Sequence, residues 1–179
     1  MAYDFNSGEA TGWDSLIAPY VGARIKSGTE KAVSIFACPS DSIARGTDNS
    51  PRTYSLVRRG GLGFANSSVA NVSLGRALSE FPDTAATLMA AEWPNSGNLF
   101  GNSSGAGNLD SPGGGGGNAQ DIAAPTGLGR PLHFDGWNYL FADGHVKWLL
   151  PESTVDGNPA APVGTLTSPR GMWTIAEGD

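Results

Sequence analysis

Two histidines, one cysteine and seventeen carboxylates are the residues of this 179-residue chain best equipped for chemistry. His133 and Asp143 form the obvious acid-base pair, because an imidazole beside a carboxylate can pass protons near neutral pH. The strand pattern around them argues for separation. Asp143-Gly144 marks a two-residue hairpin turn and Asp135-Gly136 a second, which sets His133 opposite Asn138. At about 3.3 Å per residue, that leaves His133 roughly 16 Å from Asp143, too far for a hydrogen-bonded dyad.

His145 has no second His or Cys at ligand spacing and reads as a solvated or cross-strand residue. Asp135 and Asp143, with loop carbonyls, are hard oxygen donors of the kind calcium takes, although no EF-hand pattern surrounds them. They are the candidate metal ligands, and no other cofactor is implied. Cys38 is the single cysteine, so it cannot form an intrachain disulfide and reads as a small buried hydrophobe. The chain has no P-loop or dinucleotide fingerprint, and the glycine run 113–117 lacks the Lys and Ser or Thr that hold phosphates. These absences point away from an enzyme.

The charge balance narrows the partners. A formal net charge of −6 leaves no positive field for a phosphate backbone, and Arg58-Arg59 is the only basic pair. Nucleic acid and anionic membrane are therefore disfavoured. No apolar run reaches the length of a membrane span, and the opening MAYDFNSGEA has neither a basic nor an apolar leader region.

The elements that would position these residues can be read from hydrophobic spacing. Trp13, Leu16, Ile17, Tyr20 and Val21 form one helical face within Thr11 to Ile25, with Pro19 shortening or kinking the helix. Val33 to Cys38 and Thr53 to Val57 read as short strands, residues 73–80 as two helical turns, and Ala86 to Trp93 as a buried strand with a helix as the alternative. Residues 94–130 hold most of the glycine and read as a loop. The two-residue turn at Asp143-Gly144 pairs Phe141 with Val146, Tyr139 with Trp148 and Trp137 with Leu150, which gathers every aromatic of the hairpin on one face. After Leu150, a proline-rich linker leads to Met172, Trp173 and Ile175, a short apolar strand.

The expected fold is α+β: a short N-terminal helix with a small antiparallel sheet, rich in loops, with an extended C-terminal tail. Residues 1–150 form the globular part, and 151–179 the linker and terminal strand.

The segment HFDGWNYLFADGHVKWL resembles the H-X9-DG domain of prepilin-like proteins, with His133, nine residues, then Asp143 and Gly144. FACPSD at Phe36 to Asp41 resembles that family's CPSD segment, and WDSLIAPY, TLMAAE and the ending RGMWTIAEGD are similar to further family segments. The resemblance implies a type IV pilin-like or pseudopilin-like fold, a long N-terminal helix under a small antiparallel sheet. Members begin with a leader and an apolar helix that anchors and polymerises them, and neither is found between Met1 and Thr11.

The expectation is a structural subunit of an extracellular or cell-surface filament, a homo-oligomer or helical assembly without catalysis. Its only route to the membrane would be an N-terminal helix absent from this chain. Met172, Trp173 and Ile175 are the candidate assembly residues. The alternative is a secretion-system binding module that recognises a protein or glycan through the glycine-rich loop.

Overall fold

The computed structural model describes residues 13–21, 34–44, 51–58, 63, 65–69, 72–96, 98–100, 109–113, 131–156 and 163–175. Its centre is a four-stranded antiparallel sheet in the order β1-β4-β5-β6, built from Tyr54–Leu56, Leu88–Glu92, Trp137–Phe141 and Val146–Leu149. A separate two-stranded ribbon joins β2 (Ala65–Val69) to β3 (Val72–Gly75). The expected buried strand at Ala86 to Trp93 is β4, flanked by β1 and β5, which explains why its sequence is apolar on both faces.

The helical face at the N-terminal end is represented by one α-helical turn, α1 (Trp13–Ile17), which tightens into a 3-10 turn at Ala18–Val21 around Pro19. Thr11 and Ile25 lie outside the described residues. Asp14 on α1 reaches Arg52 before β1 in a fully buried ion pair of 2.7 Å. Arg52 also donates to Asn98 Oδ1 at 2.7 Å and lies over the Trp13 ring.

Several expectations require correction. Ser34–Phe36 within the run Val33 to Cys38 is a 3-10 turn rather than a strand. Its aromatic residue is needed in a packed cluster: the Phe36 ring centroid lies 6.1 Å from that of Trp13 and 5.0 Å from that of Phe100. Residues 73–80 are not helical as a unit. Val72–Gly75 pairs as β3 and only Leu78–Glu80 turns, because Glu80 receives the Ala77 amide at 2.9 Å and caps a single 3-10 turn.

The hairpin is the most consequential correction. Trp137 pairs with Leu149, Asn138 with Trp148, Tyr139 with Lys147 and Leu140 with Val146, one residue away from the expected register. The loop is three residues long rather than two. The Gly144 amide donates to the Phe141 carbonyl at 2.9 Å, the Phe141 amide donates to the His145 carbonyl at 2.9 Å, and only Gly144 takes positive φ, at 94°. This is a type I turn followed by a glycine bulge, and a one-residue slip sends one strand's side chains to the opposite face. Trp137, Tyr139 and Phe141 remain together in the core, whereas Trp148 joins Asn138 on the other face.

The second turn also shifts by one residue. His133 and Gly136 bridge each other, so the turn is centred on Phe134-Asp135, and Phe134 takes φ of 60° while 94% exposed. His133 therefore lies opposite Gly136 rather than Asn138.

Trp137, Tyr139, Phe141, Leu88, Val57 and Leu109 form the core with Trp173. Trp173 lies in a 3-10 turn, Gly171–Trp173, and not in a strand. Its ring meets Tyr139 edge-on at 6.4 Å, and its indole N–H donates to Thr154 Oγ1 at 2.9 Å. The segment beyond residue 150 thus returns to the same core. Leu109, inside the glycine-rich stretch, is buried and hydrogen-bonded to β1 residue Leu56, and the neighbouring Asp110 pairs with Arg58. Residues 101–108 and 114–130 lie outside the described set.

Candidate functional site

Three segments far apart in sequence bring reactive side chains to one point on the second face of the sheet. The first is the turn Cys38-Pro39-Ser40-Asp41, closed by the Asp41 amide donating to the Cys38 carbonyl at 2.9 Å. Proline at its second position is pre-set for such a turn. Thr53 fastens the turn to β1: its hydroxyl receives the Cys38 amide at 2.9 Å and donates to Asp41 Oδ2 at 2.7 Å. Cys38 Sγ is thereby buried, with the Ser40 amide donating toward it at 3.4 Å.

The second segment is the end of β4. Glu92 registers with Tyr54 of β1 and is fully buried. Its Oε2 receives the Asn138 amide at 2.8 Å and its Oε1 the Asn138 side-chain amide at 3.2 Å. A buried carboxylate is tolerated when donors compensate its lost hydration.

The third is the turn at His133. The Trp148 indole N–H donates to the His133 carbonyl at 3.0 Å. The same indole packs over Gly136, where a Cβ would stand 2.6 Å from ring atom Cζ2. Glycine is required there by close approach. The hairpin register therefore matters to the site, because it puts Trp148 on the face where it can hold this turn.

His133 Nε2 lies 2.9 Å from Glu92 Oε1 and 3.4 Å from Cys38 Sγ. Sγ, Nε2 and the nearer Glu92 oxygen all lie within 4.8 Å of one another. Both neighbours meet the same ring nitrogen. A nucleophilic triad needs the imidazole to face the nucleophile with one nitrogen and the orienting carboxylate with the other, so this cluster has no such relay. Its chemistry is convergence of a sulfur, a nitrogen and an oxygen donor.

Tyr54 flanks the cluster. Its phenol is pushed up from 10.0 to about 12, first by burial and then by the electrostatic influence of Glu92 and Cys38.

The other sequence candidates are dispersed. Asp143 is exposed and bonds its own neighbour, with Oδ1 2.6 Å from His145 Nδ1 and accepting the His145 amide at 3.1 Å. The His145 ring stacks on Phe141 at 4.2 Å. Asp135 sits exposed in the His133 turn. Neither Asp135 nor Asp143 belongs to the cluster of potential ligands found among the described residues, which joins Cys38, Glu92 and His133. Met172 and Ile175 are half-buried beside the buried Trp173.

Sequence reasoning singled out Cys38 and His133 but missed Glu92 as their partner. The available signal was a carboxylate ending the apolar run Leu88 to Ala91, where a buried acid must find donors.

The same face of the sheet carries an open apolar groove of about 660 Å³. Ile17, Ile35, Leu56, Met89, Leu140 and Val146 line it, with Val146 60% exposed and Ile35 54%. No helix among the described residues is long and apolar enough to cross a membrane. Comparison of the chain with protein-family models, with curated proteins and with solved structures found no match.

Proposed function

We propose that the chain is a structural subunit of an extracellular pilus-like filament or surface assembly, in which copies dock through the apolar face of the sheet. The observation that carries this reading is the groove beside β5 and β6. Exposed apolar surface gathered in a concave patch is costly to leave in water and marks a contact surface. The resemblance of the His133 to Leu149 hairpin to prepilin-like proteins supports the same reading, since that family places an apolar helix against its sheet. α1 already forms one wall of the groove through Trp13 and Ile17.

In this reading the assembly surface moves away from the C-terminal tail. Trp173 is occupied in its own core, so the contact falls to Ile35, Leu140 and Val146. The fold serves as a scaffold for that face, and the cluster at Cys38 ties together the segments that form its edge.

Sedimentation and electron microscopy of the full chain test this. The expected result is concentration-dependent assembly that Val146→Glu abolishes while the monomer keeps its near-ultraviolet circular dichroism. Val146 is exposed enough that the charge does not enter the core. Monomers alone at high protein concentration would rule the proposal out.

A further inference from the structure

We infer that Cys38, Glu92 and His133 form a binding site for a divalent transition-metal ion of the zinc type. The inference is independent of the assembly reading, because it rests on the side-chain cluster and not on the groove.

The donor set decides the class of ion. A thiolate, an imidazole and a carboxylate are zinc ligands, and the sulfur disfavours calcium and magnesium, which take oxygen. Geometry fits as well. Zinc bonds of about 2.3 Å to sulfur and about 2.0 to 2.1 Å to nitrogen and oxygen, at tetrahedral angles, separate S from N by about 3.5 Å and N from O by about 3.3 Å. The observed separations are 3.4 Å for Cys38 Sγ to His133 Nε2 and 2.9 Å for His133 Nε2 to Glu92 Oε1. These two separations need to change by only a few tenths of an ångström, and Cys38 Sγ and the Glu92 oxygen, within 4.8 Å of each other, close around the ion as it binds.

Charge and support agree with this assignment. A doubly charged cation matches the thiolate and carboxylate that these two buried side chains supply as ligands. The groups behind the donors are already hydrogen-bonded. Asn138 holds the far oxygen of Glu92, the Ser40 amide points at Sγ, and Trp148 holds the His133 backbone. Such outer contacts orient metal ligands.

Access is available from one side. The His133 side chain is 30% exposed while Glu92 is fully buried, so an ion enters past the imidazole. Three protein ligands leave the fourth tetrahedral position to water or to a group from a partner.

The test is a titration of chelator-treated full-length protein with Co²⁺, then displacement by Zn²⁺. The expected result is one ion per chain, with the visible bands of a tetrahedral site and a thiolate-to-cobalt charge-transfer band. Because the chain has one cysteine, that band reports Cys38. Cys38→Ser should abolish the band and His133→Asn should weaken binding at least tenfold, while His145→Asn changes nothing.

If Cys38→Ser fails to fold, the wild-type spectrum and the half-exposed His133→Asn variant decide the matter. Failure to bind at micromolar metal, cobalt binding without the charge-transfer band, or unaltered affinity in His133→Asn would overturn the site. Sedimentation of the same samples separates this outcome from failure of the assembly reading.

Discussion

His133 Nε2 and Glu92 Oε1 stand 2.9 Å apart although 41 residues separate them in the chain. The contact joins the turn before β5 to the end of β4, and with Cys38 it links three segments far apart in the chain. Glu92 therefore anchors more than one neighbour. Glu92→Ala is expected to cost about 1 to 3 kcal/mol, because it leaves the half-buried Asn138 amide without the carboxylate that accepts from it. Glu92→Gln keeps an acceptor and should cost less. Urea denaturation of the two variants gives the comparison; equal loss would mean that volume, not the acceptor, matters.

Gly136→Ala tests the Trp148 lock. The added methyl meets the indole ring directly, so overpacking of about 1 to 3 kcal/mol is expected, together with a change in Trp148 fluorescence. Gly144→Ala is the contrasting case. Space around it is open, and its penalty should reflect only the positive φ of 94°, on the order of 1 kcal/mol.

The ion pair between Asp14 and Arg52 is fully buried on both sides. Arg52→Met takes the guanidinium away from the buried Asp14 carboxylate, for which about 3 to 5 kcal/mol of destabilisation is expected. The double substitution Asp14→Leu with Arg52→Met should recover much of that loss. Thermal melts of the single and double variants measure it, and a double variant as unstable as the single would show that shape rather than charge sets the cost.

Trp173→Ala distinguishes a core residue from an assembly residue. With its side chain wholly buried against Tyr139, the truncation should cost about 3 to 5 kcal/mol and unfold or severely weaken the monomer. A stable monomer that merely loses assembly would contradict this packing.

The turn carboxylate carries a pH signature. Asp143 is held below its ordinary 3.8, chiefly by the His145 amide and further by the His145 ring, with burial opposing. A lowered folded-state value means that the ionised form is favoured in the fold. Its contribution to stability is present above 3.8 and declines as pH falls through the lowered value. The stability gap between the wild type and Asp143→Ala should accordingly narrow as pH falls below 3.8. A gap independent of pH would mean that the turn geometry alone supplies the effect.

Much of the sheet was legible in the sequence because its signals are local. The alternation of Trp137, Tyr139 and Phe141 identifies a half-buried strand, and the apolar run before Glu92 identifies a central one. Asp-Gly at 143 and 144 marks a reversal whatever its length. These patterns depend on side-chain period and on the backbone preferences of glycine, both of which act over a few residues.

Tertiary structure alone decided the register and the site. A two-residue loop and a three-residue loop use the same Asp-Gly pair, and packing selected the longer one by keeping Trp137, Tyr139 and Phe141 in the core while freeing Trp148 for the other face. That single shift lets Trp148 pack on Gly136 and hold the His133 turn. Cys38, Glu92 and His133 meet only because β4 lies between β1 and β5, so the cluster depends on strand order rather than on spacing. Residue types named the possible donors; the contact between them required long-range pairing, which no local pattern encodes.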